Sequence, residues 1–150
     1  MQFSLSIATF VLALTASAAP TSKRQNTLAS GSDTNGSIFM FGDPAPARQL
    51  LYTVGACGLS TYFPDQVDPN IPLVAMPANV FDQFGFAQHN TLCAKVITLT
   101  KNGVTRQAVI ADRNLSNTNS IDMTLDLWQA FGGHDNDGSI IPGFSWSISE

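Results

Sequence analysis

The sequence predicts an all-β domain with a few short helices. Residues 95–100 (KVITLT) and 104–111 (VTRQAVIA) are rich in β-branched side chains and are separated by Asn102-Gly103. Asn-Gly between two such runs is the strongest short signal for a β-hairpin. Residues 143–150 (GFSWSISE) alternate apolar and small polar positions, which indicates a further strand with one buried face.

Two short segments of the chain resemble each other. Residues 74–85 (VAMPANVFDQFG) and 121–132 (IDMTLDLWQAFG) share Met, Phe and Gly at equivalent positions when they are aligned without gaps. Each indicates a short strand, then a helix that starts at Pro77 or Thr124, then a closing Gly. Pro suits the first helical turn, Thr suits an N-cap and Gly suits a C-cap. The repeat predicts a β fold with internal pseudo-symmetry.

The N-terminal part of the chain is predicted to lie outside the folded domain. Residues 1–19 contain an apolar run followed by small residues, which is typical of a secretory signal peptide; a buried helix is the alternative. Residues 20–24 end in Lys23-Arg24, which indicates a cleaved propeptide unless these are ordinary surface charges. Residues 25–37 are mostly Asn, Thr, Ser and Gly, so we expect a flexible tail. The folded domain is then expected over residues 38–150.

The composition limits the classes of partner. The chain has 150 residues, of which 44% are apolar and 12% charged, and its formal net charge is −4. Seven Lys and Arg residues without a basic run cannot neutralise a nucleic-acid backbone, and they disfavour an anionic membrane surface for the same reason. Loss of residues 1–24 would leave five basic against eleven acidic residues, a net charge of −6.

The two cysteines of the chain are Cys57 and Cys93. An even number of cysteines in a secreted protein predicts a disulfide, here closing a loop of about 37 residues. A thiol nucleophile paired with His89 or His134 is the alternative, and an oxidising compartment disfavours it. Two His and two Cys without short ligand spacing predict no metal site, and no cofactor is expected.

Two sequons are present, Asn35-Gly36-Ser37 and Asn114-Leu115-Ser116. In a chain that enters the secretory pathway, each is a predicted site of N-linked glycosylation. The predicted signal peptide makes both of them relevant, so we expect glycans on Asn35 and Asn114.

A set of short motifs occurs in a fixed order along the chain. In sequence they are Gly55-Ala56-Cys57-Gly58, VAMPANVFD at 74–82, Cys93 before the hairpin, VIADR at 109–113, IDMT at 121–124, and a final FSWSI strand. This order resembles the double-psi β-barrel domain of barwin, expansins, family-45 endoglucanases, rare lipoprotein A and small secreted proteins that include a papain inhibitor. The resemblance covers residues 49–148. It implies a six-stranded barrel with pseudo-twofold symmetry and one disulfide between Cys57 and Cys93.

The resemblance also implies two acidic site residues. Asp122 matches the general acid of the endoglucanases, which expansins need for wall loosening, and Asp112 matches a second acid of expansins. From the repeat alone, Asp122 occupies the position of Ala75, so the fold does not require an acid there. We expect a partly buried carboxyl with a raised pKa. The alternatives are that Asp122 caps the next helix or bonds loop amides, and that Asp112 pairs with Arg113.

A second catalytic carboxylate is missing from the predicted first strand. Glycoside hydrolysis normally needs two carboxyl groups. In the endoglucanases the second lies on the first strand, expected here at residues 49–54 (QLLYTV), which hold no acid. The residues predicted to form a binding groove are Tyr52, Thr53, Tyr62, Phe63 and Asn114. Among them, Tyr62-Phe63 would supply an exposed aromatic platform.

Three functions remain for such a chain. The first is a secreted, monomeric, expansin- or loosenin-like protein that binds or loosens cellulose, chitin or peptidoglycan without hydrolysis. The second is a secreted protein-binding factor such as a cysteine-protease inhibitor. The third is a weak glycanase or lytic transglycosylase that uses Asp122. The missing second carboxylate disfavours an enzyme.

Overall fold

The computed structural model describes residues 26–116 and 118–150. In this part of the chain the strands are β1 Thr27–Ile38, β2 Leu73–Pro77, β3 Val96–Lys101, β4 Val104–Asn114, β5 Ser120–Met123 and β6 Ile141–Ser149. The helices are α1 Pro44–Val54, α2 Leu59–Tyr62, α3 Ala78–Phe81 and α4 Leu125–Ala130, with 3-10 turns at Asp82–Phe84 and Ala87–His89. None of these helices has the length and apolar character needed to cross a bilayer. The predicted signal peptide and propeptide lie outside the described residues.

The six described strands close into a barrel in the order β1-β5-β2-β4-β3-β6. β1 runs parallel to β5 and β2 runs parallel to β4, whereas the other neighbours are antiparallel. The two repeated segments start in β2 and β5, which lie side by side with Val74 opposite Met123 and Ala75 opposite Asp122. This placement fits the pseudo-symmetry that the repeat predicts.

The core lies inside the barrel and beneath the short helices. β2 is buried along its whole length. In β6 the residues Phe144, Trp146 and Ile148 are buried, as the alternating pattern predicts, and Trp128 of α4 is fully buried. Each such large side chain contributes about 1.5–3 kcal/mol when it leaves water. Both halves of the repeat therefore contribute side chains to the same hydrophobic core.

The predicted hairpin is confirmed. β3 and β4 pair antiparallel from Val96 opposite Val109 to Lys101 opposite Val104. Asn102 and Gly103 form the two-residue turn with φ angles of 49° and 79°. A turn with both φ angles positive matches the right-handed twist of the paired strands, which is why Asn-Gly is favoured there.

The expected flexible tail at residues 25–37 is wrong, because Thr27–Ile38 form β1. β1 lies between β5 and β6 and closes the barrel. It pairs with β6 from Thr27 to Gly36 and with β5 from Asn35 to Ile38, so backbone pairing holds the strand although it has few apolar side chains of its own. The folded domain therefore includes this segment and does not start at residue 38.

The small residues of β1 fit the large aromatic rings of β6. A Cβ on Gly36 would lie 2.5 Å from the ring of Phe144, and one on Gly31 would lie 2.7 Å from the ring of Trp146. Thr34 accepts a hydrogen bond of 2.9 Å from the indole N–H of Trp146. The composition that resembles a tail is thus the steric complement of the neighbouring strand.

The strand expected at residues 49–54 is also wrong, because these residues belong to α1, Pro44–Val54. Asp43 caps the helix by accepting a hydrogen bond of 2.9 Å from the Ala45 N–H, and a proline opens the first turn. Leu51 and the alanine one turn before it are buried on the same helix face. The helix therefore buries one face of this segment, whereas Leu50 and Val54 lie exposed.

The predicted disulfide is confirmed. Cys57 and Cys93 are bonded, with their Cα atoms 5.3 Å apart. The bond joins the turn between α1 and α2 to the loop that follows the Ala87–His89 turn. In the chain-entropy model a loop of this length stabilises the fold by about 4 kcal/mol.

Candidate functional site

One row of residues crosses four neighbouring strands. Ser37 of β1 lies opposite Asp122 of β5, Asp122 lies opposite Ala75 of β2, and Ala75 lies opposite Asp112 of β4. Directly opposed residues point to the same face of a sheet, so the four side chains share one face. Strands are about 4.8 Å apart, which places the Cα atoms of the two aspartates about 10 Å apart. The methyl group of Ala75 leaves a gap between them.

Asp122 has the environment of a proton donor. It alternates with the buried Ile121 and Met123, so its side chain projects away from the barrel core. Burial raises the pKa of the Asp122 carboxyl above 3.8, and the nearby charge of Asp112 raises it further, whereas a hydrogen bond from the Ser37 hydroxyl lowers it. A raised pKa is what the sequence predicts.

Asp122 does not cap the helix that follows it. The N-cap of α4 is Thr124, which makes no side-chain capping bond. The partner of the Asp122 carboxylate is instead the hydroxyl of Ser37, which is 85 residues away in the sequence. The capping alternative is therefore wrong, and the acid belongs to the row across the strands.

Asp112 is fixed by backbone groups. Its Oδ1 accepts hydrogen bonds from the N–H of Ala56 at 2.7 Å and from the N–H of Arg113 at 2.8 Å. The expected ion pair with the Arg113 side chain is wrong, because successive strand residues point in opposite directions. The guanidinium of Arg113 binds both carboxylate oxygens of Asp82 at 2.6 and 2.7 Å. This hydrogen bonding holds the pKa of Asp82 below its ordinary value.

Three residues of the row, Ala75, Asp112 and Asp122, line an open cleft of about 470 Å³, which we call the carboxylate cleft. Its lining includes Phe39, Val54, Asp112, Asn114, Leu115 and Asp122. A second cleft of about 520 Å³, the side cleft, is lined by Asp82, Gly85, Phe86, Arg113 and Leu115. The two clefts share Arg113 and Leu115, so they adjoin each other. Together they offer room for a ligand longer than one sugar ring.

Neither a family model nor a curated protein sequence matches the chain. Its structure is similar to that of the Streptomyces papain inhibitor, with a TM-score of 0.55 at 17% sequence identity over 83% of this chain and 97% of the inhibitor. It is also similar to a mutant Clavibacter michiganensis expansin in complex with cellohexaose, with a TM-score of 0.54 at 14% identity over 80% of this chain. The match covers 51% of the expansin, so this chain spans about half of that protein.

These two similarities, together with the closed barrel of six described strands, decide the fold. The fold is a double-psi β-barrel. At such low identity the solved structures show the architecture alone, and the predicted resemblance is confirmed at that level.

The structure separates the predicted catalytic and groove residues into two groups. Asp112, Asn114 and Asp122 line the carboxylate cleft. The other predicted residues, Tyr52, Thr53, Tyr62 and Phe63, line neither cleft. Tyr52 and Thr53 belong to α1, Tyr62 ends α2 with an exposed ring, and Phe63 packs against the core. The expected aromatic platform is therefore not part of the carboxylate cleft.

Asn114 has a structural role in the double-psi barrel. Its side chain is buried, its Nδ2 donates to the carbonyl and hydroxyl of Ser120 at 2.9 and 3.1 Å, and its Oδ1 accepts from the Ser116 N–H at 2.8 Å. A glycan would replace one of the two hydrogens on this buried nitrogen and so remove a bond to Ser120, and the geometry therefore argues against the predicted glycosylation of Asn114. Asn35 lies half-buried on β1, and its glycosylation stays a prediction.

Several residues around the clefts were missed by sequence reasoning. Val54, Phe86 and Leu115 are exposed apolar side chains, with exposed fractions of 74%, 84% and 82%. Leu115 stands alone in a loop of Asn, Ser and Thr, and an isolated apolar residue in a polar loop is the signal that could have found it. Ser37 was missed because its segment lacks the apolar alternation of a strand.

The site offers oxygen ligands but not a metal-binding cluster. Across residues 26–116 and 118–150, no three His, Cys, Asp or Glu side chains come together in a way that could hold a metal ion. The two cleft aspartates are separated by β2, and each already accepts hydrogen bonds. That the protein needs no cofactor stays a prediction.

Proposed function

We propose that the chain is a secreted, expansin- or loosenin-like protein that binds and loosens cell-wall polysaccharide without hydrolysing it. The observation that carries the proposal is the row Asp122–Ala75–Asp112 in an open cleft. An open cleft admits the middle of a long polymer. Its carboxylates and amide oxygens can accept hydrogen bonds from sugar hydroxyl groups.

The two carboxyl groups are unequal, and this disfavours hydrolysis. A glycosidase needs an acid and a base or nucleophile on opposite sides of the scissile bond. Asp122, with its raised pKa, suits the acid. Asp112 uses one oxygen to hold two backbone N–H groups, and β1 offers Ser37 where a second carboxylate could face Asp122. The site thus has a proton donor without a well-placed partner for water activation.

Secretion is part of this proposal. The apolar run followed by small residues in residues 1–19 supports a signal peptide, and the disulfide suits an oxidising compartment. The cleavage after Lys23-Arg24 and a glycan on Asn35 follow from the same assignment. Mass spectrometry of the protein recovered from culture medium tests all three.

A sedimentation assay with cellulose, chitin and peptidoglycan, combined with a reducing-sugar assay, tests the function. We expect the full chain to sediment with at least one polymer and to release no soluble sugar. Asp122→Asn should weaken binding, whereas Asp65→Asn, which removes an exposed acid outside both clefts, should not. If no polymer retains the protein, the proposal is wrong. Sugar release that Asp122→Asn abolishes would establish the glycanase or transglycosylase alternative instead.

A second candidate is a cysteine-protease inhibitor. It is favoured by the exposed Leu115 and Phe86 beside the clefts, because exposed apolar side chains also mark protein-binding surfaces. The structural similarity to the Streptomyces papain inhibitor over nearly its whole length supports the same reading. Titration of papain activity with the full chain tests it. Tight inhibition without polysaccharide binding would replace the first proposal by this one.

A further inference from the structure

We infer that Val54, Leu115 and Phe86 form an apolar track that receives the ring faces of an uncharged polysaccharide. The track runs from the carboxylate cleft into the side cleft, so the bound chain would extend past Asp112 and Asp122. This inference rests on the proposed polysaccharide binding, and it adds the class of ligand and the residues that hold it.

Val54, Leu115 and Phe86 are exposed to solvent and lie in the two adjoining clefts. Each of the three side chains is at least 74% exposed, although each is strongly apolar. Val54 and Leu115 line the carboxylate cleft, and Leu115 and Phe86 line the side cleft. Exposed apolar surface that is continuous and rimmed by polar groups marks a binding site more often than scattered apolar residues do.

Phe86 lies in a turn whose backbone is held by several hydrogen bonds. The buried side chain of Asn90 donates hydrogen bonds to the carbonyls of Phe81 at 2.7 Å and Gly85 at 3.0 Å, and it accepts one from the Leu92 N–H at 2.9 Å. The carbonyl of Phe86 itself accepts from the His89 N–H at 3.0 Å. The disulfide follows directly at Cys93. The backbone that carries the exposed ring is therefore held in place before any ligand binds.

The backbone around Leu115 and Val54 is also held by hydrogen bonds or close packing. The buried amide of Asn114 bonds to Ser120 and Ser116, and it thereby fixes the loop that presents Leu115. Val54 precedes Gly55, whose Cα has backbone oxygens so close that an added Cβ would lie 2.5 Å from the nearest. Preorganised contacts of this kind lose little entropy on binding.

The charges around the track define the ligand. Among the described residues that line the two clefts, the acids are Asp82, Asp112 and Asp122, and the single cation is Arg113. Arg113 is neutralised by its two hydrogen bonds to Asp82. An acidic polysaccharide would therefore meet carboxylates without a free counter-charge. A neutral sugar ring, apolar on its faces and hydroxylated at its edge, fits an apolar track beside hydrogen-bond acceptors.

Binding isotherms of the full chain on microcrystalline cellulose, chitin and soluble polygalacturonate test the inference. We expect binding to a neutral polymer, and we expect Phe86→Ala and Leu115→Ala each to weaken it about tenfold. Tyr62→Ala removes an exposed aromatic ring that lies outside both clefts and should leave binding unchanged. Circular dichroism and thermal unfolding show whether each variant is folded, and binding is compared among folded variants.

The outcomes separate this inference from the proposed function. If the wild-type chain binds a neutral polymer and the folded Phe86→Ala and Leu115→Ala variants bind equally well, the track is wrong while polysaccharide binding stands. Stronger binding of polygalacturonate than of cellulose and chitin overturns the neutral ligand. If the wild-type chain binds none of the three polymers, the track is wrong, and the proposed function fails with it when peptidoglycan does not retain the protein either.

Discussion

The two halves of the internal repeat use one backbone pattern for different tasks. In the half built from β2 and α3, the row residue is Ala75, whereas in the half built from β5 and α4 it is Asp122. The first half is followed by the exposed Phe86. The second is followed by Gly133, where an added Cβ would lie 2.1 Å from the indole nitrogen of the buried Trp128.

This difference shows which positions the fold requires and which are free for chemistry. The barrel accepts a methyl group or a carboxyl group at the same place in its row, so shape alone does not decide between them. The half with the carboxyl places Asp122 in the row, and the half with the methyl leaves space beside it and is followed by the exposed ring of Phe86. Variants that exchange these features test how independent the halves are.

The disulfide is a further difference between the halves, because Cys93 follows the first half of the repeat and the second half has no cysteine after it. We expect the double variant Cys57→Ser/Cys93→Ser to lose about 4 kcal/mol of unfolding free energy, since the unfolded chain gains the entropy of an open loop. Urea unfolding measures the loss. Ser60→Ala, in the same turn region, is the control. An unchanged unfolding midpoint in the double variant would contradict the prediction.

The exchange Ala75→Asp makes the two halves chemically alike and should be the next most damaging change. Ala75 is buried between Asp112 and Asp122, so a third carboxylate would lose its hydration beside two like charges. We expect a loss of about 3 kcal/mol at neutral pH, measured by urea unfolding. Ala75→Ser adds a polar atom without charge and should cost much less. Equal stability of both variants would show that the row is open to water.

The change Asp122→Asn should stabilise the protein slightly at neutral pH. Because the folded pKa is raised, ionisation of Asp122 opposes folding. This opposition is absent below about pH 3.8, grows as the pH rises to the raised pKa and is complete above it. The gain should be about 1 kcal/mol or less, since solvent screens the half-buried group. Thermal unfolding at pH 3 and pH 7, with Asp65→Asn as control, measures it. A gain that is equal at both pH values would contradict this cause.

The ion pair of Arg113 and Asp82 should contribute least. Both side chains are partly exposed, so solvent and salt screen their attraction. Because the pKa of Asp82 is lowered in the folded protein, its ionised form stabilises the fold fully at pH values above its ordinary pKa. This contribution disappears as the pH falls through the lowered pKa. Thermal unfolding of Arg113→Ala at neutral pH should match the wild type within error. A clear loss there would show that the pair fixes the side cleft.

Local patterns were sufficient for part of the fold. The hairpin at Asn102-Gly103 depends on two residues and their flanks, and the alternation of β6 depends on one strand. The resemblance to the double-psi β-barrel domain pointed to Asp122, and its alignment with Ala75 in the repeat indicated that the fold does not require an acid there. In each case the determining interactions are close in sequence or repeated in it.

The rest depends on partners that are distant in sequence. Nothing near β1 shows that its small residues fit Phe144 and Trp146, so its composition resembles a tail. The apolar run in α1 ends in Thr53-Val54, and β-branched residues favour a strand. The helix-capping signal of Asp43 was weaker than that run, so the sequence predicted a strand there. The partner of Arg113 proved to be Asp82 and not its neighbour Asp112, because strand alternation outweighs adjacency along the chain.

The seam between β1 and β6 also sets the order in which the barrel can be completed. Trp146 donates to Thr34 across it, and the N–H of Glu150 donates to the carbonyl of Asn26 at 3.0 Å, so every closing contact joins residues more than one hundred positions apart. Such high contact order slows folding, because loop entropy is lost before the contacts form. The chain can complete its barrel only after its last strand has been synthesised. Until then β1 lacks β6, one of its two neighbouring strands.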